Sequence, residues 1–319
     1  MDTSTAGKVI RAGASVGTPL AIALVITLAI ALAATQGAPA AARAASTSVR
    51  HDGNRSLVYV SDENRNRIAV FREDGKPVGT ITRGLRYPQG LFVDARGTLY
   101  VANRGANNVL EFKRGSTAPT RVLDDAGAQP EDVTVCPNGT IYVANILDDS
   151  GGGNITVYAG TSRHASGMLT FSGGEMFFLA CDPQGNLFAT LVLGTTGTVV
   201  EFPNGQQAGA TMLPILFGGN PAGIASDGLG NLLLVYGVGV TEFTEAGSPT
   251  GLQIPTLGFT QIALSRNGDL LLGASASGGA LYTFPGGSYV RGYDTGGGPI
   301  GVALDPGPDS ATRALQHSP

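Results

Sequence analysis

The sequence predicts an all-β fold, a six-bladed β-propeller closed by its C-terminal strand pairing into the N-terminal blade, on three observations. A hairpin phrase recurs along the chain, the two ends carry complementary halves of one such unit, and turn formers are abundant. Of 319 residues, 48 are Gly and 18 Pro, 42% are hydrophobic and 14% are charged. Such a chain can bury a sizeable core, is too hydrophobic for disorder and is too rich in turn formers for a helical bundle. Its glycines follow no Gly-X-Y period. Two cysteines cannot build a disulfide framework or a thiolate zinc site, and three histidines leave little room for imidazole chemistry.

Lys8 and Arg11 precede an apolar run from Leu20 to Ala34 that only Thr27 interrupts, and the A-x-A sites Ala38-Pro39-Ala40, Ala40-Ala41-Ala42 and Ala42-Arg43-Ala44 follow. Residues 1–45 read as a secretory signal peptide cut near residues 40–45, and residues 46–56 as a flexible lead-in. An uncleaved membrane anchor is the alternative, although the run falls short of the roughly 20 residues needed to span a hydrocarbon core. The expected location is secreted, periplasmic or cell-surface.

The phrase Gly90-Leu-Phe-Val-Asp-Ala-Arg-Gly-Thr-Leu-Tyr-Val-Ala-Asn103 is echoed from Asp132 to Asn145 and from Phe178 to Thr190, with weaker copies from Gly223 to Val235 and from Gln261 to Gly273. Its anchor glycines, Gly97, Gly139, Gly185, Gly230 and Gly268, are 42, 46, 45 and 38 residues apart, a propeller-blade period. Each copy predicts a hairpin: a short apolar strand, an Asp-x-x-Gly turn in which Gly supplies positive φ, and a second strand. A third strand follows and ends in an aromatic, at Phe71, Phe112, Tyr158, Phe202, Phe243 and Phe284, where packing between blades is the expected role. Fainter fourth strands are expected at 77–81, 119–123, 168–171 and 289–293, where edge prolines are tolerated. Ile300 to Asp305 is a first strand lacking a second, and Leu57 to Asp62 a second lacking a first. Joined, they complete a sixth blade and remove an exposed edge, so the propeller spans 57–306 and residues 307–319 form a disordered tail.

The pattern G-[IL]-x-V-D-x-x-G-x-[IL]-Y-V-A-[DN] followed by N-x-[IV]-x-x-[FY] resembles the NHL repeat across roughly residues 56–306, most closely at Gly90 and Asp132. The resemblance implies a six-bladed propeller but no single activity, because related propellers include lyases, lactonases, synthases and binding platforms. In such propellers the loops entering each inner strand, and those linking second to third strands, gather at the channel mouth. Here they carry Asp62, Tyr87, Gln89, Asn103, Arg104, Glu131, Asp132, Asn145, Asp148, Asp149, Glu175, Asn220 and Tyr236. Oxygen donors of this kind suit calcium or magnesium, with Glu131, Asn145 and Glu175 as candidate ligands, although solvated polar loop tips are the plainer account. The lactonases that share the architecture bind a divalent metal through Glu, Asn and Asp, and no motif for that set is recognisable here. Histidine-based lyase or Ser-His-Asp chemistry finds no support, since His51, His164 and His317 lie off the mouth.

Cys136 and Cys181 end inner strands of neighbouring blades and are read either as a disulfide of an exported protein or as buried thiols. Asn54, Asn138 and Asn154 head glycosylation sequons, but Asn138-Gly139 is better explained as a turn. The glycine triplets at 151–153 and 296–298 lack the strand-to-helix context of a phosphate cradle. Residues 50–121 hold thirteen basic and seven acidic side chains, whereas the rest of the mature chain holds four and sixteen. A basic sector suits an anionic envelope polymer or head-to-tail contact with another copy, against the plainer reading of a solvated surface. Nucleic acid is a poor partner, for want of stacking motifs and of an overall basic balance. The expected function is non-catalytic binding of a protein or glycan at the cell envelope, with no required cofactor. Membrane contact would come only through an uncleaved N-terminal segment, and oligomeric state is left open. The alternative is a calcium- or magnesium-assisted hydrolase or lyase of a lactone, ester or polysaccharide at the mouth.

Overall fold

A computed structural model of the chain describes residues 56–305 except 126–128, 148–151, 172–173, 219–222, 238 and 257. The expected signal peptide, most of the lead-in and the tail lie outside the described residues. Within them the chain is a ring of six antiparallel four-stranded sheets, a six-bladed β-propeller. From the axis outward, blade one is built from Val302–Asp305, Leu57–Asp62, Arg67–Arg72 and Pro77–Ile81. Blade two takes Pro88–Val93, Leu99–Asn103, Asn108–Phe112 and Arg121–Asp124. Blade three takes Pro130–Val135, Ile141–Asn145, Asn154–Tyr158 and Gly167–Leu169. Blade four takes Glu175–Cys181, Leu187–Leu193, Thr196–Phe202 and Thr211–Gly218. Blade five takes Ile224–Ser226, Asn231–Tyr236, Gly239–Thr244 and Pro249–Pro255, and blade six Ile262–Leu264, Leu270–Ser275, Gly278–Thr283 and Tyr289–Asp294.

The inner strands pack in cyclic order, that of blade six against that of blade one and that of blade one against that of blade two, so the ring is closed. Closure follows the complementary ends: Leu57 pairs Asp305, and Val60 pairs Val302. Strand alternation explains the core. Leu57 and Tyr59 face the gap between blades one and two, whereas Val58 and Val60 face the gap between blades six and one. Six hydrophobic clusters fill the six interblade gaps in this way, and the third-strand aromatics Phe71, Phe112, Tyr158, Phe202 and Phe243 are buried among them.

The phrase's turn works as its chemistry predicts. In blade two Asp94 Oδ1 accepts from the amides of Arg96 and Thr98, and Gly97 sits at φ 78°. Blades four and five repeat it with Asp182 and Asp227 accepting from Asn186 and Asn231. These turns define the lower face, and there Cys136 and Cys181 form a disulfide between blades three and four with a Cα–Cα distance of 5.4 Å. The outer strands depart most from the sequence reading. Those of blades two and three run Arg121–Asp124 and Gly167–Leu169, each displaced from its expected span, and those of blades four and five were not anticipated. Pro214 within one, and prolines at both ends of the other, mask their β pattern; edge strands tolerate them because one row of amides needs no partner. Asn154, a sequon residue, is buried inside blade three and so is not an acceptor on the surface. Among the described residues no helix is long and apolar enough to cross a membrane.

Candidate functional site

The upper face is where inner strands begin and where second strands turn into third, as the pairings Pro88 with Asn103 and Asn103 with Asn108 show. The phrase's first position lines the axis there, occupied in turn by Gly301, Gly90, Asp132, Phe178, Gly223 and Gln261. Glycines let the inner strands crowd together: a Cβ on Gly90 would collide with Asp132, and one on Gly301 with the Gln89 backbone. Into the space so freed, Asp132 of blade three and Gln261 of blade six, which lie opposite each other, reach across the ring. Gln261 Nε2 donates to Asp132 Oδ1 at 2.7 Å and to the Leu91 carbonyl at 3.1 Å. Its Oε1 accepts from the amides of Leu91 and Val302 at 3.1 and 2.8 Å. All four hydrogen-bonding places of the amide are filled, and Asp132 Oδ2 accepts from the Leu179 amide at 2.9 Å. This bridge ties five of the six inner strands together and floors the mouth. Burial pushes the Asp132 carboxyl well above the usual carboxylate range, against the pull of the Leu179 and Val133 amides.

Above this floor, blades one to three bring Tyr87, Gln89, Arg104 and Glu131 together. Gln89 Nε2 donates to Glu63 Oε2 at 3.0 Å, and burial together with the nearby Glu63 carboxylate raises the pKa of the Tyr87 phenol above its ordinary value. Arg104 donates to Glu131 Oε2 at 3.2 Å and to Gln129 Oε1 at 3.1 Å. Burial pushes the Glu131 carboxyl up to about 7, with Arg104 pulling it back and Glu63 adding to the rise. Glu63 and Gln129 are functional candidates that the sequence did not single out, although Gln129 holds the position in blade three that Tyr87 holds in blade two.

The remaining predicted positions do other work. Asp62, Asn103 and Asn145, which end the phrase's second strand, are fully buried and staple the upper loops. Asp62 binds Arg65 and Arg67 at 3.1 and 3.0 Å. Asn103 accepts from the Arg86 amide at 2.6 Å and donates to the Gly84 carbonyl and Asn108. Asn145 donates to Asn154 and Thr156 within its own blade, both at 2.9 Å. Tyr236 packs edge-on against Phe217 and Phe243 between blades four and five, and its hydroxyl donates to the Leu216 carbonyl. Glu175 begins the inner strand of blade four, half-buried. Asp148, Asp149 and Asn220 lie outside the described residues.

Of the predicted cation ligands Glu131, Asn145 and Glu175, the first two have hydrogen-bond partners of their own. Glu131 is committed to Arg104, and Asn145 offers one neutral buried oxygen, Oδ1, without a hydrogen-bond partner. Calcium or magnesium takes about six oxygens, usually with more than one free carboxylate. Among the described residues, no three His, Cys, Asp or Glu side chains are placed to hold a metal ion. Part of the basic sector is paired: Arg65 and Arg67 share Asp62, and Arg104 pairs with Glu131, Arg114 with Asp305 and Arg121 with Glu111.

No protein-family model matches the chain, and no curated protein matches it either. Solved structures do share the fold. Hydrazine synthase of Kuenenia stuttgartiensis superposes with a TM-score of 0.56 at 15% identity, over 77% of this chain and 85% of that one. A Bacteroides caccae protein of unknown function gives 0.57 at 14%, over 78% and 98%. XC5397 from Xanthomonas campestris, described as a gluconolactonase, gives 0.54 at 20%, over 71% and 84%. At these identities the likeness is one of fold, and the chain takes its place among propellers of diverse function.

Proposed function

We propose that this protein is an exported, non-catalytic binding module of NHL-like type whose upper mouth, over blades one to three, takes a glycan or protein ligand at the cell envelope without a cofactor. The observation that carries this reading is the state of the carboxylates at the mouth. Asp132 is bonded to Gln261 and Leu179, Glu131 is paired with Arg104, and Glu63 accepts from Gln89. Hydrogen-bonding groups held rigid by one another present a ligand with a preorganised surface. The phrase from Gly90 to Asn103 supports the NHL-like assignment, and the A-x-A sites after Leu20–Ala34 support export.

A lactone- or ester-hydrolysing enzyme is the second reading, favoured by the fold shared with a described gluconolactonase and by Glu131, whose carboxyl is poised to exchange a proton near neutral pH. The two separate cleanly in one experiment. The purified mature protein is titrated with a glycan panel and with envelope fractions, in calcium or magnesium and in chelator, while lactones and esters are assayed for turnover. Saturable binding indifferent to chelation, without turnover, is the expected result; turnover of a lactone that chelation abolishes would overturn the binding reading. Mass spectrometry of the secreted protein should place its N-terminus just after residues 40–45, and an intact Lys8 would refute cleavage.

A further inference from the structure

Tyr87 stands out from every other described residue in its backbone. Apart from glycines, the described residues with positive φ are Asn66, Asn107 and Asn204, at 48–51°, and Tyr87 at 52°. Asparagine tolerates the left-handed region, whereas a bulky aromatic occupies it only under constraint. The repeat supplies an internal control. In blade six the equivalent position, three residues before the axis, is Gly258 at φ 51°. The same backbone shape is thus met by glycine in one blade and by tyrosine in another.

The constraint is built by three hydrogen bonds. The Tyr87 amide donates to Asn66 Oδ1 at 2.7 Å, the Arg86 amide donates to Asn103 Oδ1 at 2.6 Å, and the Gly105 amide donates to the Arg86 carbonyl at 2.9 Å. A Cβ on Gly105 would lie only 2.9 Å from that carbonyl oxygen and 3.1 Å from Tyr87 Cβ, so the loop is clamped between blades one and two with no slack. The clamp holds the tyrosine 43% exposed at the rim. Strain kept in place to expose an aromatic is characteristic of a binding position.

The chemistry around the ring indicates what it binds. Arg83 and Arg86, in the same loop, are exposed and make no ion pair among the described residues, and Arg104, in the loop clamped against this one, is paired with Glu131. Glu63 and Gln89 supply an acceptor and an amide at the ring's foot. A fixed aromatic face suits the C–H face of a sugar ring, the amide and carboxylate suit its hydroxyls, and free guanidiniums suit a carboxylate. An acidic peptide fits less well, because it offers few hydroxyls to Glu63. Resting on the glycan form of the binding reading above, we propose that Tyr87, with the exposed Arg83 and Arg86 of its loop, forms a subsite for a uronate residue of an acidic polysaccharide.

Calorimetric titration of the mature protein with tetragalacturonate, its full methyl ester and a poly-glutamate peptide tests this. Tetragalacturonate should bind, and more weakly as salt rises; the ester should bind about tenfold more weakly and the peptide not at all. Tyr87→Gly, which suits the backbone, should lose about tenfold in affinity while its melting temperature holds or rises. Arg83→Ala with Arg86→Ala should erase the preference for acid over ester. Tyr236→Ala, at an aromatic remote from the clamp, should bind as the parent does. Equal binding of acid and ester, unchanged affinity in Tyr87→Gly, or peptide binding in place of sugar would each overturn the uronate subsite. Glycan binding that ignores Tyr87 would leave the binding-module reading standing, whereas lactone turnover with no glycan bound would remove both.

Discussion

The mouth has two unlike halves. Over blades one to three, long polar side chains bond to one another: Glu63 with Gln89, Arg104 with Gln129 and Glu131. Over blades four to six packed aromatics dominate instead, with Tyr236 edge-on to Phe217 and Phe243 and Phe259 against Tyr282, while the position of Tyr87 is held by Glu175 in blade four and by Gly258 in blade six. Both halves are made from the same phrase. The hairpin's own requirements, an apolar strand and a turn glycine, leave the residues of the upper loops unconstrained, and there the halves diverge. One half presents polar side chains paired with one another, and the other packs aromatic rings between its blades.

The largest expected effect breaks the element that spans the two halves. Gln261→Ala strips partners from Asp132, Leu91 and Val302 at once, and should destabilise by roughly 3 kcal/mol or more. A double-mutant cycle with Asp132→Ala should return a coupling of about 1 kcal/mol or more by denaturant unfolding, and strict additivity would show the bridge to be energetically idle. Next, the disulfide joins blade three to blade four across a 45-residue separation, so Cys136→Ser with Cys181→Ser should cost about 2–4 kcal/mol while leaving ligand binding unchanged.

The third prediction separates the halves by pH. The folded-state value of Glu131 lies above its ordinary 4.5, at about 7, so the folded state binds the extra proton. The resulting stabilisation is complete below about pH 4.5 and is lost as pH rises through 7, a swing of about 3 kcal/mol. Glu131→Gln should flatten that part of the stability profile and melt higher than the parent at pH 8, whereas parallel profiles for the two proteins would show that Glu131 does not titrate in this window. The smallest effect falls in the other half. Tyr236→Ala should cost about 1 kcal/mol through lost edge contacts, and a loss of ligand affinity instead would erase the distinction drawn between the halves.

How much of this was legible in the sequence depends on whether a feature repeats. The hairpins, the terminal pairing and the cysteine positions follow from the phrase, because each copy confirms the others. Asn103 and Asn145 show the limit: a polar residue at a loop reads as ligand-facing, yet both are buried staples, and burial depends on loops from elsewhere in the chain. Gln261 was visible as an imperfect copy of the phrase but not as a bridge, although setting the copies in register places it in the column of Gly90 and Asp132. Tyr87 gives no local cue to its left-handed backbone, since Asn66, Asn103 and Gly105, which impose it, lie on other loops.

The pairing of Leu57 with Asp305 has a practical corollary. Both strands reach their free ends on the underside, where the other blades have their Asp-x-x-Gly turns. A support or fusion partner joined directly at Leu57 or Asp305 would therefore approach from beneath, leaving Tyr87 turned toward the solution.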